Sequence, residues 1–596
     1  MMKRKIKILL TFIIIGIILG GLFLPNIPEI DTVQAANNVK ISKNKAGLYV
    51  GETLTLRIVG VSSTITWASS NKKVATVNTK GLVTALKPGT ATVTGTVNKN
   101  KYSCKVTVSN PTITIDPANA LSKNGSEFKG WGTSLAWWGN RIGYSDKMSK
   151  EAADLLYDNE KGLGLNIVRY NIGGGDDPTH NHITRTDSEV PGYLYWNEAS
   201  RKYEYDWSAD YNQRNALSKI IKASDDTLII EAFANSAPYF MTNSGCTSGA
   251  EDGKNNLKKD YFDDFANYLA EVTFHFKKDL GITFSSISAM NEPNARWYAL
   301  SPKQEGCYFE RGETQSKMII ELSKAFKAKG LKSVQITASD EQDTNGAYAA
   351  FNSLTKDAKT KVDQIDTHTY SGTFASKTKL SALAKENNKE LWMSEFDGSG
   401  TAGTNSGEMG AALWLSQQIM LDMNGLEPSA WVMWQAIANF YSTDGYNGKS
   451  DASSMVDVNK GYWGCAVADI DKEDIVLTQK YYAFGQFTRY IRPGYTLLES
   501  TPIRQNYCTM AAYNKISKTL VIVAMNANKE DRNYSIDLSK FKSIGSSVKA
   551  VRTSASLQKG EQWKELKSIQ TDQKGFTAKV KANSITTYIL EGVVIK

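Results

Sequence analysis

Between residues 111 and 500, short apolar, β-rich runs alternate with amphipathic stretches long enough for helices. The runs are FKGWGTSLAWW (128–138), LNIVRYNIGGG (165–175), TLIIEAFANSAP (227–238), FSSISAMNEP (284–293), SVQITASDE (333–341), VDQIDTHTY (362–370), ELWMSEFDG (390–398) and PSAWVMWQA (428–436). Between them, KDYFDDFANYLAEVTFHFKKDLG and TQSKMIIELSKAFKAKG carry helical spacing, the second stopped by Gly330. Eight strand-helix units predict an α/β fold closed into a (β/α)8 barrel, with an open doubly wound sheet as the alternative.

The barrel does not use the whole chain of 596 residues, which is too long for one ordinary core. After FTRYIRPGYTLL the helical signal fades, and TLVIVAMNA, NYSIDLS, SVKAVRTS, GFTAKVKA and SITTYILEG predict a C-terminal β-sandwich over 501–596. PTITIDPANA, ahead of the barrel, offers that side domain one more strand, so residues 111–127 are open to joining it. Residues 37–110 read as short strands between turns, a small all-β sandwich. Their stretch ITWASSNKKVATVNTKGLVTALKPGTATVTGTV resembles the bacterial immunoglobulin-like group 2 domain, which implies a spacer or adhesive unit and offers no candidate catalytic group.

Residues 1–36 have the layout of a secretory signal: Lys3, Arg4, Lys5 and Lys7, then an apolar run, then Val33-Gln34-Ala35-Ala36. An uncleaved membrane anchor is the rival, since Ile8 to Leu24 approaches a spanning length. No later segment is apolar for long enough, so a secreted, soluble mature protein is expected, with cell-wall or surface association open to it. The formal net charge of +9 becomes +7 once the four basic and two acidic side chains of that leader are removed. The remaining basic residues are dispersed and no nucleic-acid motif accompanies them, which excludes that class of partner.

Five cysteines (Cys104, Cys246, Cys307, Cys465 and Cys508) make no disulfide framework in a chain of this size, and none has C-x-x-C spacing. The four histidines are scattered; His180 and His182 beside Asp176 and Asp177 read as a loop rather than a metal site. NIGGGDD lacks both phosphate-cradling glycine patterns, so no nucleotide site is assigned to it. No cofactor or metal is expected.

A barrel brings the carboxyl ends of its strands to one mouth. The fourth run ends at Asn291-Glu292-Pro293 and the seventh at Ser394-Glu395. Pro293 forbids Glu292 the right-handed helical region and so presents that carboxylate at a strand end. Two acids facing one mouth suit glycoside hydrolysis, in which one carboxyl protonates the departing oxygen and the other attacks the anomeric carbon.

The pairing resembles the large clan of retaining (β/α)8 glycosidases. GWGTSLAWWGNRIG, RYNIGGGDDPTHNH, NSAPYFMTNSGCTSG, NEPNARWY with QEGC, LWMSEFDG and FTRYIRPGY together resemble glycoside hydrolase family 30, in its endo-β-1,6-galactanase-like branch, over about residues 111–596. The resemblance implies Glu292 as acid/base, Glu395 as nucleophile, Asn291 as the partner of the sugar 2-hydroxyl, and Arg169 and Tyr370 as groups that keep the nucleophile ionised and oriented. Glu292 then has to hold its proton, through burial and repulsion from Glu395.

Trp137, Trp138, Tyr239, Trp297, His368 and Trp434 lie at or beyond strand ends, where flat rings could bury the apolar face of a pyranose. Trp138 and Trp297 are favoured as sugar contacts, whereas Trp137 and Trp434 are equally readable as core. Cys246 and Cys307 fall in loops beside the cleft, where a disulfide would pin the two loops together.

The expected activity is thus that of a secreted, retaining endo-glycosidase on β-1,6-galactan, such as the side chains of arabinogalactan, acting as a monomer. The same machinery acting on β-1,6-glucan, xylan or glucosylceramide is the enzymatic alternative. A non-catalytic carbohydrate-binding or adhesive surface protein is the other.

Overall fold

The computed structural model describes residues 39–121, 127–177, 188–224, 228–295, 304–397, 407–441, 463–501 and 509–596, with Thr179 and Ile183. The side chains of 438–441 are not among them. The leader, His180, His182, Trp297 and Cys508 lie outside the described residues. No described helix is long and apolar enough to cross a membrane.

The chain divides after Ser109 into two compact units. In the first, strands Lys45–Tyr49, Asn100–Ser109, Gly89–Val97 and Thr66–Ser69 form one sheet, and Thr53–Thr55, Leu82–Ala85 and Ala75–Val77 another. Alternation along Gly89–Val97 and Asn100–Ser109 turns Val93, Cys104 and Val106 inward, onto Ala75 and Val83, in a core of the unit's own.

The second unit is built on a closed barrel. Its strands are β1 (Gly130–Ser134), β2 (Ile167–Asn171), β3 (Ile229–Phe233), β4 (Ser286–Ser288), β5 (Gln335–Asp343), β6 (Gln364–Ser371), β7 (Glu390–Phe396) and β8 (Ala430–Gln435). Each pairs in parallel with the next, and β8 pairs back onto β1. All eight runs expected to be strands are therefore strands, and the open-sheet alternative is excluded.

Helices α1 (Asp146–Tyr157), α2 (Tyr211–Ala223), α3 (Phe262–Asp279), α4 (Glu313–Ala328), α5 (Thr344–Ser353), α6 (Phe374–Glu386), α7 (Met409–Gly425) and α8 (Gln479–Thr488) follow the strands in turn. Side chains at their starts satisfy free backbone donors: Ser145 accepts from Met148 N at α1, Asp343 from Asn345 N and Gly346 N at α5, and Thr373 forms a capping box at α6. Outside the strands, Trp131 and Trp431 pack with Phe484 and Phe487 of α8.

A ten-stranded sheet stands beside the barrel. The strand Thr112–Leu121, which precedes β1, lies within it, antiparallel to Thr496–Thr501 and parallel to Arg532–Asp537. Gln486 of α8 is bonded to Thr553 and Thr587 of that sheet, so a buried polar seam joins sheet to barrel.

Candidate active site

Strand ends carry the site because the ladder is broken there. Register shifts interrupt the β5–β6 pairing between Ser339 and Glu341, the β6–β7 pairing at His368, and the β7–β8 pairing between Met393 and Phe396. Such irregularities re-aim side chains that regular pleating would turn to a neighbour.

The backbone at the end of β4 departs from the expected extended form. Glu292 has φ 44, and Asp340, within β5, has φ 56. Pro293 closes the right-handed region to Glu292, and the chain takes the left-handed one, at a cost of about 1–3 kcal/mol for a residue with a side chain. Tertiary bonds hold it: Glu292 N donates to Asp340 O at 2.8 Å, and Phe309 N to Pro293 O at 2.9 Å.

Six of the residues singled out in the sequence meet or border this mouth. Glu292, His368 and Glu395 are buried, and each offers a ligand atom within 4.8 Å of the others. Tyr370 donates its hydroxyl to Glu395 Oε1 at 3.1 Å, and Arg169 Nη1 lies 3.5 Å from Glu395 Oε2. Asn291, just before Glu292, is buried with no hydrogen-bond partner for its Oδ1.

His368 is not a sugar platform. It is fully buried, with Nδ1 3.1 Å from Glu292 Oε1 and 3.4 Å from Glu395 Oε1, and Nε2 3.1 Å from Asp340 Oδ1. Burial works against its charge, but Glu395 and Asp340 win and hold the imidazole well above its ordinary pKa. The ring is therefore a cation among carboxylates.

Trp138 also departs from its expected role. Its side chain is fully buried in the barrel core, with Nε1 bonded to Ser134 O at 2.6 Å, because a short helix, Trp138–Ile142, begins there and turns the ring inward. Trp137 and Trp434 pack edge to face at 5.3 Å in a small cluster with Ala136 and Phe233, and the Arg169 guanidinium lies 4.3 Å above the Phe233 ring. Tyr239 sits farther out, half-buried in a 3-10 turn after β3, against Phe240.

Beneath the pair lies a polar layer that sequence reasoning missed. Arg169 donates Nε to Glu231 Oε1 at 2.9 Å and Nη2 to Asp340 Oδ2 at 2.5 Å. Asp340 also takes Ser394 Oγ at 2.6 Å, while Glu231 takes Ser286 Oγ at 2.7 Å and Gln364 Nε2 at 3.0 Å. The available signal was an acid placed inside an apolar run, as in LIIEAF, QITASD and QIDTH.

Burial alone would raise Asp340, yet Arg169 and His368 hold it well below the carboxylate range. Burial pushes Glu395 up to about 8, with His368 and Arg169 opposing and the Glu292 charge adding to the rise. The Glu292–His368–Glu395 set is dense enough to hold a cation. Arg169 and His368 already supply positive charge to it.

Cys246 and Cys307 are buried and unbridged, so the expected disulfide is not formed. The Cys246 thiol lies against Ser244 Oγ and Ser248 Oγ at 3.2 and 3.4 Å, within its own loop, whereas Cys307 is taken up by the backbone of Ala237, Asn256 and Leu257 in the loop after β3. The glycine run in NIGGGDD has a packing cause: a Cβ at Gly173 would meet Val190 O at 2.3 Å, and one at Gly174 would meet Ala237 O at 2.7 Å.

Comparison with known proteins bears on what these groups do. The family model described as O-Glycosyl hydrolase family 30 matches residues 111–447, and that of the bacterial Ig-like domain (group 2) matches residues 35–108. An endo-β-1,6-galactanase of Hypocrea rufa is 29% identical over 501 residues, covering 81% of this chain and 95% of that protein. An exo-β-1,6-galactobiohydrolase of Bifidobacterium longum subsp. longum is 24% identical over 556 residues, 73% of this chain and 36% of that one. The catalytic domain of GH30 xylanase C from Talaromyces cellulolyticus superposes with a TM-score of 0.60 at 18% identity, over 80% of this chain and 99% of that domain. At that identity the likeness is one of fold.

Proposed function

The chain belongs to O-glycosyl hydrolase family 30, and from that membership we propose that it is an exported endo-glycosidase that cleaves β-1,6-galactan with retention of configuration. The observation that carries the mechanism is the separation of Glu292 and Glu395, whose nearest ligand atoms lie within 4.8 Å. Double displacement works with carboxyl groups about 5–5.5 Å apart, whereas inversion needs about 6.5–9.5 Å to admit a water. The linkage rests on the endo-β-1,6-galactanase relative, which aligns over most of both chains. Export rests on the basic, apolar and small-residue order of residues 1–36.

In this reading Glu395 attacks the anomeric carbon as Glu292 gives its proton to the departing glycosidic oxygen. Glu292 then takes a proton from water, the water oxygen attacks the same carbon, and Glu395 leaves as carboxylate. The environments divide the roles. Glu395 faces Arg169, Tyr370 and His368, and Glu292 lies against His368. A proton on Glu292 removes the repulsion that helps to raise Glu395, and Arg169 and His368 then work against burial in favour of its carboxylate. Asn291 Oδ1, buried and unpartnered, is available to a substrate hydroxyl.

The test is reducing-sugar release from β-1,6-galactan, with β-1,6-glucan and xylan beside it, by culture medium and by purified protein. Galactan-specific release of oligosaccharides into the medium is expected, together with loss of turnover by at least about 10³-fold in Glu395→Gln. Full activity in that variant removes Glu395 as nucleophile; preference for another glycan changes the substrate and leaves the mechanism standing.

A further inference from the structure

The long connection from β2 to α2 carries a hairpin, Leu194–Asn197 paired with Lys202–Tyr205, at the end of the barrel where the carboxyl ends of the strands open. Its inner end is anchored: Tyr205 stacks on Trp207 at 4.7 Å and lies 6.4 Å from Tyr268 of α3. Its outer end is different. Trp196 and Tyr203, directly paired across the strands, remain 40% and 44% exposed.

These rings continue toward the mouth. Trp196 meets Tyr203 at 5.1 Å, Tyr203 stacks on Phe240 at 4.2 Å, and Phe240 meets Tyr239 at 5.3 Å. Tyr239 N donates to Gly174 O at 3.3 Å, which ties this end of the row to the loop after β2. The row thus runs from the loops that frame the cleft out to the hairpin tip.

The tip is also rigid. Asn197 Oδ1 accepts from Ala199 N at 2.9 Å and Ser200 N at 3.3 Å, Asn197 Nδ2 donates to Glu204 Oε2 at 2.8 Å, and Ser200 Oγ donates to Glu204 Oε1 at 2.5 Å. A cross-strand aromatic pair does stabilise a hairpin. That role is served by contact between the rings and gives no reason to leave their outer faces in water on a hairpin already fastened by Tyr205.

We infer that Trp196 and Tyr203 form a distal binding platform for a neutral glycan, holding sugar residues of the same chain whose cleaved bond lies between Glu292 and Glu395. This rests on the glycanase reading above. The occupant follows from the chemistry of the surface. From Tyr144 to Tyr211 the exposed large apolar side chains among the described residues are all aromatic (Tyr144, Tyr195, Trp196, Tyr203 and Tyr211), and the row through Trp196 and Tyr203 leads back to the loops of the cleft, where the glycan would lie. Ring faces with hydroxyl or indole N–H edges match the apolar face and hydroxyl rim of a pyranose. A polysaccharide longer than the cleft must also cross the rim, and a rigid row of rings there binds it with little ordering cost.

The experiment compares Trp196→Ala and Trp196→Ala/Tyr203→Ala with wild type, the full chain in each case, on polymeric β-1,6-galactan and on a β-1,6-galactotriose too short to span cleft and hairpin. KM for the polymer is expected to rise about tenfold, with kcat on the polymer and kinetics on the short substrate changed by less than about twofold. Trp196→Phe, which keeps a ring, should restore most of the polymer KM. Equal losses on long and short substrates, or an unchanged polymer KM, overturn the platform. Affinity electrophoresis of the same proteins in gels containing galactan, β-1,6-glucan or xylan separates this from failure of the galactanase reading. Ring-dependent retardation in any neutral glycan sustains the platform even if galactan is not cleaved, and retardation in none overturns it.

Discussion

At the scale of single residues the decisive side chain is one that only a faint local signal marks, an acid inside an apolar run. Asp340 binds Arg169, His368 and Ser394 through its carboxylate, while its carbonyl receives the backbone N–H of Glu292. It therefore fixes both acids without standing between them. Glu292 and Glu395 were legible because Asn-Glu-Pro and Ser-Glu end apolar runs; Asp340 was not, because its partners arrive from β2, β6 and β7. Asp340→Asn keeps the shape and removes the charge that favours imidazolium at His368. We expect kcat on galactan to fall about 10- to 100-fold with KM within about threefold, and the alkaline limb of the kcat/KM profile to move to lower pH. Glu231, Asp366, Glu292 and Glu395 also bear on that His368–Arg169 cluster, so the shift is partial. A profile that keeps its pH limits while activity falls would reduce Asp340 to a structural role.

At the scale of elements, periodicity made the barrel strands readable, and it failed in the connections, where the aromatic hairpin and the loop contacts lie. Glu305 shows how one such contact works. Buried in the connection after β4, it accepts Gly174 N at 3.0 Å and Asn171 Nδ2 at 3.4 Å from the end of β2, and so latches two loops of the mouth. Burial pushes its carboxyl up to about 8, against an ordinary value of about 4.3. The folded chain thus keeps a proton that the unfolded chain releases. The stability this contributes is complete below about pH 4.3 and is lost as pH rises toward 8. Glu395 is raised in the same direction, so the wild-type slope has more than one source, and the difference from a variant isolates this one. Glu305→Gln retains an acceptor for Gly174 N, removes the charge and offers a donor to the unpartnered Asn171 Oδ1. The variant should melt within about a degree of wild type at pH 5 and several degrees above it at pH 8, read by scanning calorimetry. Parallel melting at both values would show that the latch does not titrate.

At the scale of the whole molecule, the two units have separate cores: Val83, Val93 and Val106 in the first, and the barrel's Trp131, Tyr170 and Leu269 in the second. The side chains of each cluster come from its own unit, and the candidate acids all belong to the second unit. A chain beginning at residue 110 is therefore expected to keep kcat on soluble galactan within about twofold, while the full chain unfolds in two calorimetric steps. Activity lost on truncation and regained on adding the first unit would contradict that independence. Residues 110–596 do not divide further in the same way, because Thr112–Leu121 pairs with strands from the far end of the chain. Cutting between the barrel and its side sheet would separate Thr112–Leu121 from Arg532–Asp537 and break that ladder.

The amino-acid sequence by itself determined the eightfold strand-helix order, the sandwich ahead of it, and two acids presented at strand ends, since each depends on spacing along the chain or on the allowed dihedrals of neighbours. Tertiary structure alone decided that Trp138 is core, that Cys246 and Cys307 are unbridged, and that His368 is a cation held among Glu292, Asp340 and Glu395. Burial and charge depend on distance through space, and the distances that matter here are closed by β-strands that lie far apart in the chain and side by side in the barrel.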